Sequence, residues 1–227
     1  MANTKNVLIS GASVAGPAAA YWVRRFGYNP TVVERAPALR DSGNAVDFRG
    51  PAHLSVLRKM GLLEEISERR TVPKKWIFVD ARGRQKAFLP PDFAGGEVEI
   101  RRGDLSRALY EASRHTTEYL FGDHITSLTE TPDGVDVTFK HAPARTFDLV
   151  IGADGMHSGV RALAFGAEER FSRFMGAYFA SFNPCPASGS ARPEGPQRTF
   201  RRGRRADRRS VRRAESDRPN ATRCRRR

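Results

Sequence analysis

Cysteine is nearly absent from this chain of 227 residues: Cys185 and Cys224 are the only two, and both lie beyond residue 184. A disulfide framework or a cysteine-ligated zinc site in the body of the protein is thereby excluded, and a reducing, cytoplasmic setting fits. Long apolar runs are missing as well. No stretch of 18 apolar residues occurs, so no membrane span is expected. The N-terminus shows no long apolar secretory segment ending in a cleavage pattern; Val7–Ser10 is strand-length only. His53, His115, His124, His141 and His157 show no metal-ligand spacing, and His157 reads as a surface side chain rather than a base. Trp22 and Trp76 read as packing residues. No internal repeat is present.

The poorest stretch is the last one. Residues 185–227 hold no Lys, Leu or Ile, and Phe200 and Val211 are their only large aliphatic or aromatic side chains. Fifteen arginines face four acids there (Glu194, Asp207, Glu215 and Asp217), which places +11 of the formal net charge of +14 in this tail. So few apolar groups cannot offset the entropy of ordering a chain, and the tail is expected to be disordered. Residues 1–184 form the other division. Their length suffices for one substantial core.

What that part contains is a strand, a glycine turn, a helix and a second strand ending in an acid. Residues 6–17 read Asn-Val-Leu-Ile-Ser-Gly-Ala-Ser-Val-Ala-Gly-Pro, and Thr31–Arg35 read Thr-Val-Val-Glu-Arg. This order suits a dinucleotide for a physical reason. Gly11 permits a tight turn, the small Ser13 lets a pyrophosphate approach the backbone, and Gly16 lets the helix pack closely on the sheet. Unpaired N–H groups at the helix start then face the phosphates. Glu34, at the end of the second strand, is placed to accept bonds from an adenosine ribose. The other reading is a purely structural βαβ corner.

Periodicity places further elements. A helix is predicted over Val14–Phe26, ended by Gly27, and a second strand over Pro30–Glu34. Leu54, Leu57 and Met60 share one face of a short helix stopped by Gly61, with Leu62–Arg69 continuing after it. Trp76–Asp80 and Gln85–Leu89 read as a hairpin. Asp104 is the expected N-cap of a helix whose Leu105, Ala108, Leu109 and Ala112 form an apolar stripe. Strands follow at Ile125–Glu130, Val135–Lys140 and Phe147–Ile151, the last one apolar enough to be buried on both faces.

Two later segments narrow the ligand: Asp148–Arg161, Asp-Leu-Val-Ile-Gly-Ala-Asp-Gly-Met-His-Ser-Gly-Val-Arg, and Val98–Leu105, Val-Glu-Ile-Arg-Arg-Gly-Asp-Leu. With the opening motif and Gly43–Gly50, they make the chain resemble the FAD-dependent aromatic-ring hydroxylases, single-component flavoprotein monooxygenases that include relatives acting on tetracycline-type polyketides. The likeness covers roughly residues 5–180. It implies an α/β fold, with a Rossmann-like FAD-binding βαβ domain interleaved with part of a β-rich substrate domain (residues 72–100 and 170–184) and followed by the disordered tail. FAD is the implied cofactor and NAD(P)H the transient reductant. Molecular oxygen and a small aromatic or polyketide-type substrate are the implied partners.

By the same resemblance Gly11, Ser13 and Gly16 cradle the pyrophosphate, Glu34 holds the ribose, and Arg35 lies by the adenine half. Asp47 lies along the cofactor, Arg102 contacts its phosphate or ribityl region, and Asp154 secures the turn beneath the pyrophosphate. Arg161 anchors that segment and reads as structural. Asp154 equally reads as a turn former and Asp47 as a solvated loop acid. No catalytic side chain is nominated, because the cofactor carries the difficult chemistry. The family also continues into a Gly-Asp segment that opens a helix and holds the ribityl chain, and none follows Asp154 here. The abrupt change to Arg, Pro, Ala, Gly and Ser is what an out-of-frame reading of GC-rich DNA produces. The expectation is a C-terminally truncated or frameshifted monooxygenase with weak or no activity. Two other classes stay open: a nonspecific polyanion or nucleic-acid binder acting through the tail, and an NAD-dependent dehydrogenase, which leaves Asp148–Arg161 unexplained.

Overall fold

The computed structural model describes residues 4–41, 43–72, 75–80, 82–94, 96–182 and 197–202. The chain divides into two compact units, one ending at Phe171 and one starting at Ser172. In the first unit, β1 (Asn6–Ser10) leads into α1 (Ala15–Arg25) and back along β2 (Asn29–Glu34). The helix is one residue shorter at each end than predicted, and Gly27, at φ +87°, turns the chain behind it.

Next come β3 (Ala45–Phe48), α2 (Gly50–Lys59) and α3 (Leu63–Glu68). The break between these helices is a Schellman turn. The Leu62 N–H donates to the Leu57 carbonyl at 2.9 Å and the Gly61 N–H to that of Arg58 at 3.0 Å, with Gly61 at φ +74°. β4 (Trp76–Val79) and β5 (Gln85–Leu89) form the predicted antiparallel hairpin. Its turn is held by Asp80, whose carboxylate accepts the N–H groups of Arg82 at 2.9 Å and Arg84 at 3.0 Å.

A single turn, α4 (Pro91–Ala94), precedes β6 (Val98–Arg101), which pairs antiparallel with β3 and runs straight into α5 (Arg102–Ser113). That continuity corrects one expectation. The cap position belongs to Arg101, and Asp104 lies inside the first turn, where its charge favours the positive helix end.

The remaining elements are β7 (Glu118–Phe121), β8 (Ile125–Thr131), β9 (Gly134–Phe139), β10 (Arg145–Phe147), β11 (Leu149–Gly152), α6 (Gly159–Phe165) and a 3-10 turn at Glu168–Arg170. The single strand expected at Phe147–Ile151 is two strands. β10 pairs antiparallel with β9, whereas β11 pairs in parallel with β1. The switch falls at Asp148, whose N–H donates to the Asn6 carbonyl at 2.9 Å while its carboxylate accepts the Asn6 N–H at 2.7 Å. Burial of β11 is partial: Val150 packs toward one face and Ile151 toward the other, Leu149 is 52% exposed, and among the described residues the strand lies at the sheet's edge.

A parallel sheet of order β11-β1-β2-β7 organises this unit. Side chains alternate along its strands, as the pleat requires. Val7, Ile9 and Val32 pack with Ala20 of α1 on one face. Leu8 and Val33 pack on the other against Ile125, Val137, Phe139 and Phe147 of the β8-β9-β10 meander and Val160 of α6. A third cluster joins Leu57, Ile66, Ile100, Leu105 and Leu109.

The meander is fixed at one end by Asp123. Its carboxylate, 4% exposed, accepts N–H bonds from His124 at 2.8 Å, His141 at 3.1 Å and Ala142 at 2.7 Å. Burial pushes this carboxyl's pKa up, but the three donors, with His141 nearby, outweigh burial and hold it below the ordinary carboxylate value.

In the second unit β12 (Ala177–Phe182) pairs antiparallel with β13 (Gln197–Arg202). Within the stretch 185–227 expected to be disordered, residues 197–202 thus form a strand. The rest of the tail, with Cys185 and Cys224, lies outside the described residues. No helix among the described residues is long and apolar enough to cross a membrane.

Candidate functional site

Three loops meet at the carboxyl ends of β11, β1 and β2. β1 lies between β2 and β11 in the sheet, so chain connections diverge to either side of it. That is the switch point at which open α/β sheets bind ligands. Gly11 ends β1 at φ +105°, and its N–H donates to the Val33 carbonyl at 2.7 Å. A Cβ on Gly11 would lie 2.6 Å from the Ala153 carbonyl oxygen and 2.9 Å from the Asp154 Cα. A Cβ on Gly16 would lie 1.7 Å from the Gly11 carbonyl oxygen. Both positions require glycine because backbone occupies the space a side chain would take. Ser13 sits half-buried between them. No side chain caps α1 and no acid stands in its first turn, which leaves the positive helix end to an anion.

Glu34 is 14% exposed in its side chain. One carboxylate oxygen accepts the Ala12 N–H and the other the Ala36 N–H, both at 2.8 Å. Arg40 approaches it at 3.9 Å. Each oxygen keeps further acceptor capacity for a ribose hydroxyl.

Asp154 caps α6 together with Ser158. Its carboxylate accepts the Ser158 hydroxyl at 2.5 Å and the Val160 N–H at 3.1 Å, while the Ser158 oxygen accepts the Arg161 N–H at 3.0 Å. Turn former and loop anchor are thus one role for this residue. Arg161 holds the same loop by donating to the Met156 carbonyl at 2.6 Å, and its guanidinium stands over the Phe171 ring. Arg35 points the same way: a Cβ on Gly159 would lie 3.6 Å from both an Arg35 guanidinium nitrogen and the Asp154 carboxylate.

Asp47 and Arg102 belong to a neighbouring group on β3, β6 and the start of α5. Asp47 accepts the Gly96 N–H at 3.4 Å and pairs with Arg49 at 3.5 Å. The Arg102 N–H donates to the Asn44 carbonyl at 3.1 Å, and its side chain lies across Gly43, where a Cβ would come within 3.1 Å of its Cδ. Gly11, Ser13, Gly16, Glu34, Arg35 and Asp154 are therefore gathered at one sheet edge, while Asp47 and Arg102 share the adjacent β3-β6 pair. Sequence reasoning missed three contributors: Ala12 through its N–H, Gly43 beneath Arg102, and Gly159 beside Arg35. Gly43 opens the Gly43–Gly50 segment, and its missing Cβ is what makes room for the Arg102 side chain.

The FAD binding domain family matches residues 4–193. The chain belongs to that family. A relative from Mycobacterium tuberculosis, the uncharacterized protein Rv1260, is 49% identical over 185 residues, covering 78% of this chain and 49% of the relative. A flavin-dependent monooxygenase of Legionella longbeachae is 37% identical over 190 residues, covering 80% and 47%. Among solved structures, tetracycline destructase Tet(51) aligns with a TM-score of 0.63 at 34% identity, covering 80% of this chain and 46% of that one. The structure of CtdE in complex with FAD shares the fold at 22% identity, with a TM-score of 0.63 and coverage of 80% and 46%.

This FAD-binding chain spans about half the length of the relatives it matches. The switch-point residues fit the cofactor. Two positions closed to any Cβ and an uncapped helix end suit a diphosphate, and a half-buried carboxylate beside them suits a ribose. The polyanion reading gains no support from these relatives, and the dehydrogenase reading gives way to FAD.

Proposed function

We propose that this chain supplies the FAD-binding part of a flavin-dependent monooxygenase that hydroxylates a small aromatic or polyketide-type molecule with NAD(P)H and molecular oxygen. The observation that carries this reading is the Gly11-Gly16 contact, closed to any Cβ, beside the carboxylate of Glu34. The names of the flavin-dependent monooxygenase relatives and of tetracycline destructase support the reaction class.

Bound FAD would supply the redox and oxygen-transfer chemistry. The chain's own residues bind and orient. Backbone N–H groups around Ser13 take the pyrophosphate, Glu34 takes the ribose hydroxyls, and Arg35 lies toward the adenine half. Arg102 suits a second phosphate or ribityl contact, because a guanidinium offers a planar pair of donors. Asp47 lines the same side. Asp154 acts through the loop it caps, and Arg161 anchors that loop. Residues 72–100 and 170–184 are assigned to the substrate side.

Titrating the purified full chain with FAD, followed by flavin fluorescence, tests the reading. Saturable one-to-one binding is expected, weakened about tenfold in Arg102→Ala through loss of a charge-assisted contact. Absence of saturable binding refutes it. The Arg-rich composition of 185–227 supports a separate proposal, that this stretch is an out-of-frame translation. Translating the coding DNA in the other two frames tests it: a frame restoring alternating strands and a Gly-Asp helix is expected, and neither frame doing so overturns it.

A further inference from the structure

Glu34 engages the protein through both of its carboxylate oxygens. Its carboxylate accepts the N–H of Ala12, a residue 3% exposed at the root of the glycine loop, and the N–H of Ala36 on the loop after β2. The Ala12 N–H belongs to the Gly11–Ala12 peptide. The other end of that peptide, the Gly11 carbonyl, is the group against which Gly16 packs so closely that no Cβ fits. One planar unit is therefore gripped at both ends, by a carboxylate on its N–H and by helix backbone on its C=O. A carboxylate can only accept, so it enforces one orientation of this peptide. An amide in its place could also donate, and would tolerate the flipped peptide.

We propose that Glu34 is a positioning residue that locks the Gly11–Ala12 peptide, holding the loop in its phosphate-binding shape before any cofactor arrives. This role is distinct from its ribose contact, and only the ligand arm of the test below rests on the FAD reading. Locking the loop beforehand removes an ordering cost from binding.

The test compares wild type with Glu34→Gln in the full chain. Without ligand, hydrogen exchange of the Ala12 amide is expected to quicken at least about tenfold in Glu34→Gln, the value of one charge-assisted bond. Unchanged exchange overturns the proposal. In the ligand arm, FAD is compared with an analogue whose adenosine ribose lacks both the 2′ and 3′ hydroxyls. A residue acting through the ribose alone would leave analogue affinity untouched by the substitution. The lock predicts that Glu34→Gln weakens the analogue too, by about tenfold. Equal analogue affinity in the two proteins refutes the lock and leaves the ribose contact standing. Failure of wild type to bind either ligand refutes the FAD reading, and the exchange arm still decides the lock. Should Glu34→Gln not fold, Glu34→Asp serves: it keeps acceptor-only chemistry but draws the carboxylate back by about one bond, and accelerated Ala12 exchange is again expected.

Discussion

Gly16→Ala is the smallest change that strikes the candidate site, and its cost follows from geometry. The added methyl would begin 1.7 Å from the Gly11 carbonyl oxygen, 2.9 Å from its carbon and 3.6 Å from Ile9 Cγ2. Reaching even a 3.0 Å contact requires a retreat of about 1.3 Å by groups packed at crystal-like density. The obstacle is main chain, so no rotamer change relieves it. Either α1 lifts from the sheet or the Gly11 turn opens, and both move the N–H groups proposed for a phosphate. Overpacking costs about 1–3 kcal/mol, and a backbone obstacle puts this case near 3. For a domain of this size that lowers Tm by about 6–12 °C.

The fitting control is Gly27→Ala. Gly27 has nothing within 4 Å of its missing Cβ and differs only in its φ of +87°. The left-handed conformation alone costs about 1–2 kcal/mol. Thermal melts of the ligand-free chain and FAD titrations by flavin fluorescence should therefore separate the two. Gly27→Ala is expected to lose a few degrees and keep its FAD affinity, whereas Gly16→Ala loses both. A Gly16→Ala protein that melts and binds FAD like Gly27→Ala would refute the argument that Gly16 exists for close packing at the phosphate loop.

Other expected outcomes are as concrete. Asp123→Ala strands three backbone donors and should cost about 2–4 kcal/mol in denaturant melts at neutral pH. Because the folded pKa of Asp123 is lowered, its contribution is complete above the ordinary value near 3.9 and is lost as pH falls through the folded value, so the gap between wild type and Asp123→Ala should narrow as pH falls below about 4. Ser158→Ala removes the N-cap of α6 and should destabilise the chain by about 1 kcal/mol, read as a lower Tm. Gly43→Ala, at φ +139° and 3.1 Å from the Arg102 Cδ, should displace that arginine and weaken FAD about as much as Arg102→Ala, roughly tenfold.

The βαβ opening was legible because its period, its glycines and its terminal acid all speak locally. The same holds for the β4-β5 hairpin and for the helix stop at Gly61. The β10-β11 break was not legible. Phe147 through Ile151 reads as one mostly apolar strand, and it is pairing with β9 on one side of Asp148 and with β1 on the other that divides it. Asp104 looked like a cap since no sequence rule says that β6 continues into α5 without a turn. At the site, the residue types were readable but their second duties were not. Glu34 bonding to Ala12 spans 22 positions, and Gly43 lying under Arg102 is a fact of packing.

The pairing at Asp148 also bears on how the chain is made. β1 is synthesised first, yet its partner β11 lies far downstream: Val7 pairs with Leu149, and Asn6 meets the Asp148 carboxylate across 142 positions. β1 can zip to β2 at once, but its other edge waits, open and apolar, until almost the whole first unit has left the ribosome. Contacts of such long sequence separation make folding slow and expose strand edges to wrong partners meanwhile. Asp148 closes that wait, so the residue that divides β10 from β11 also completes the sheet from which the glycine loop emerges.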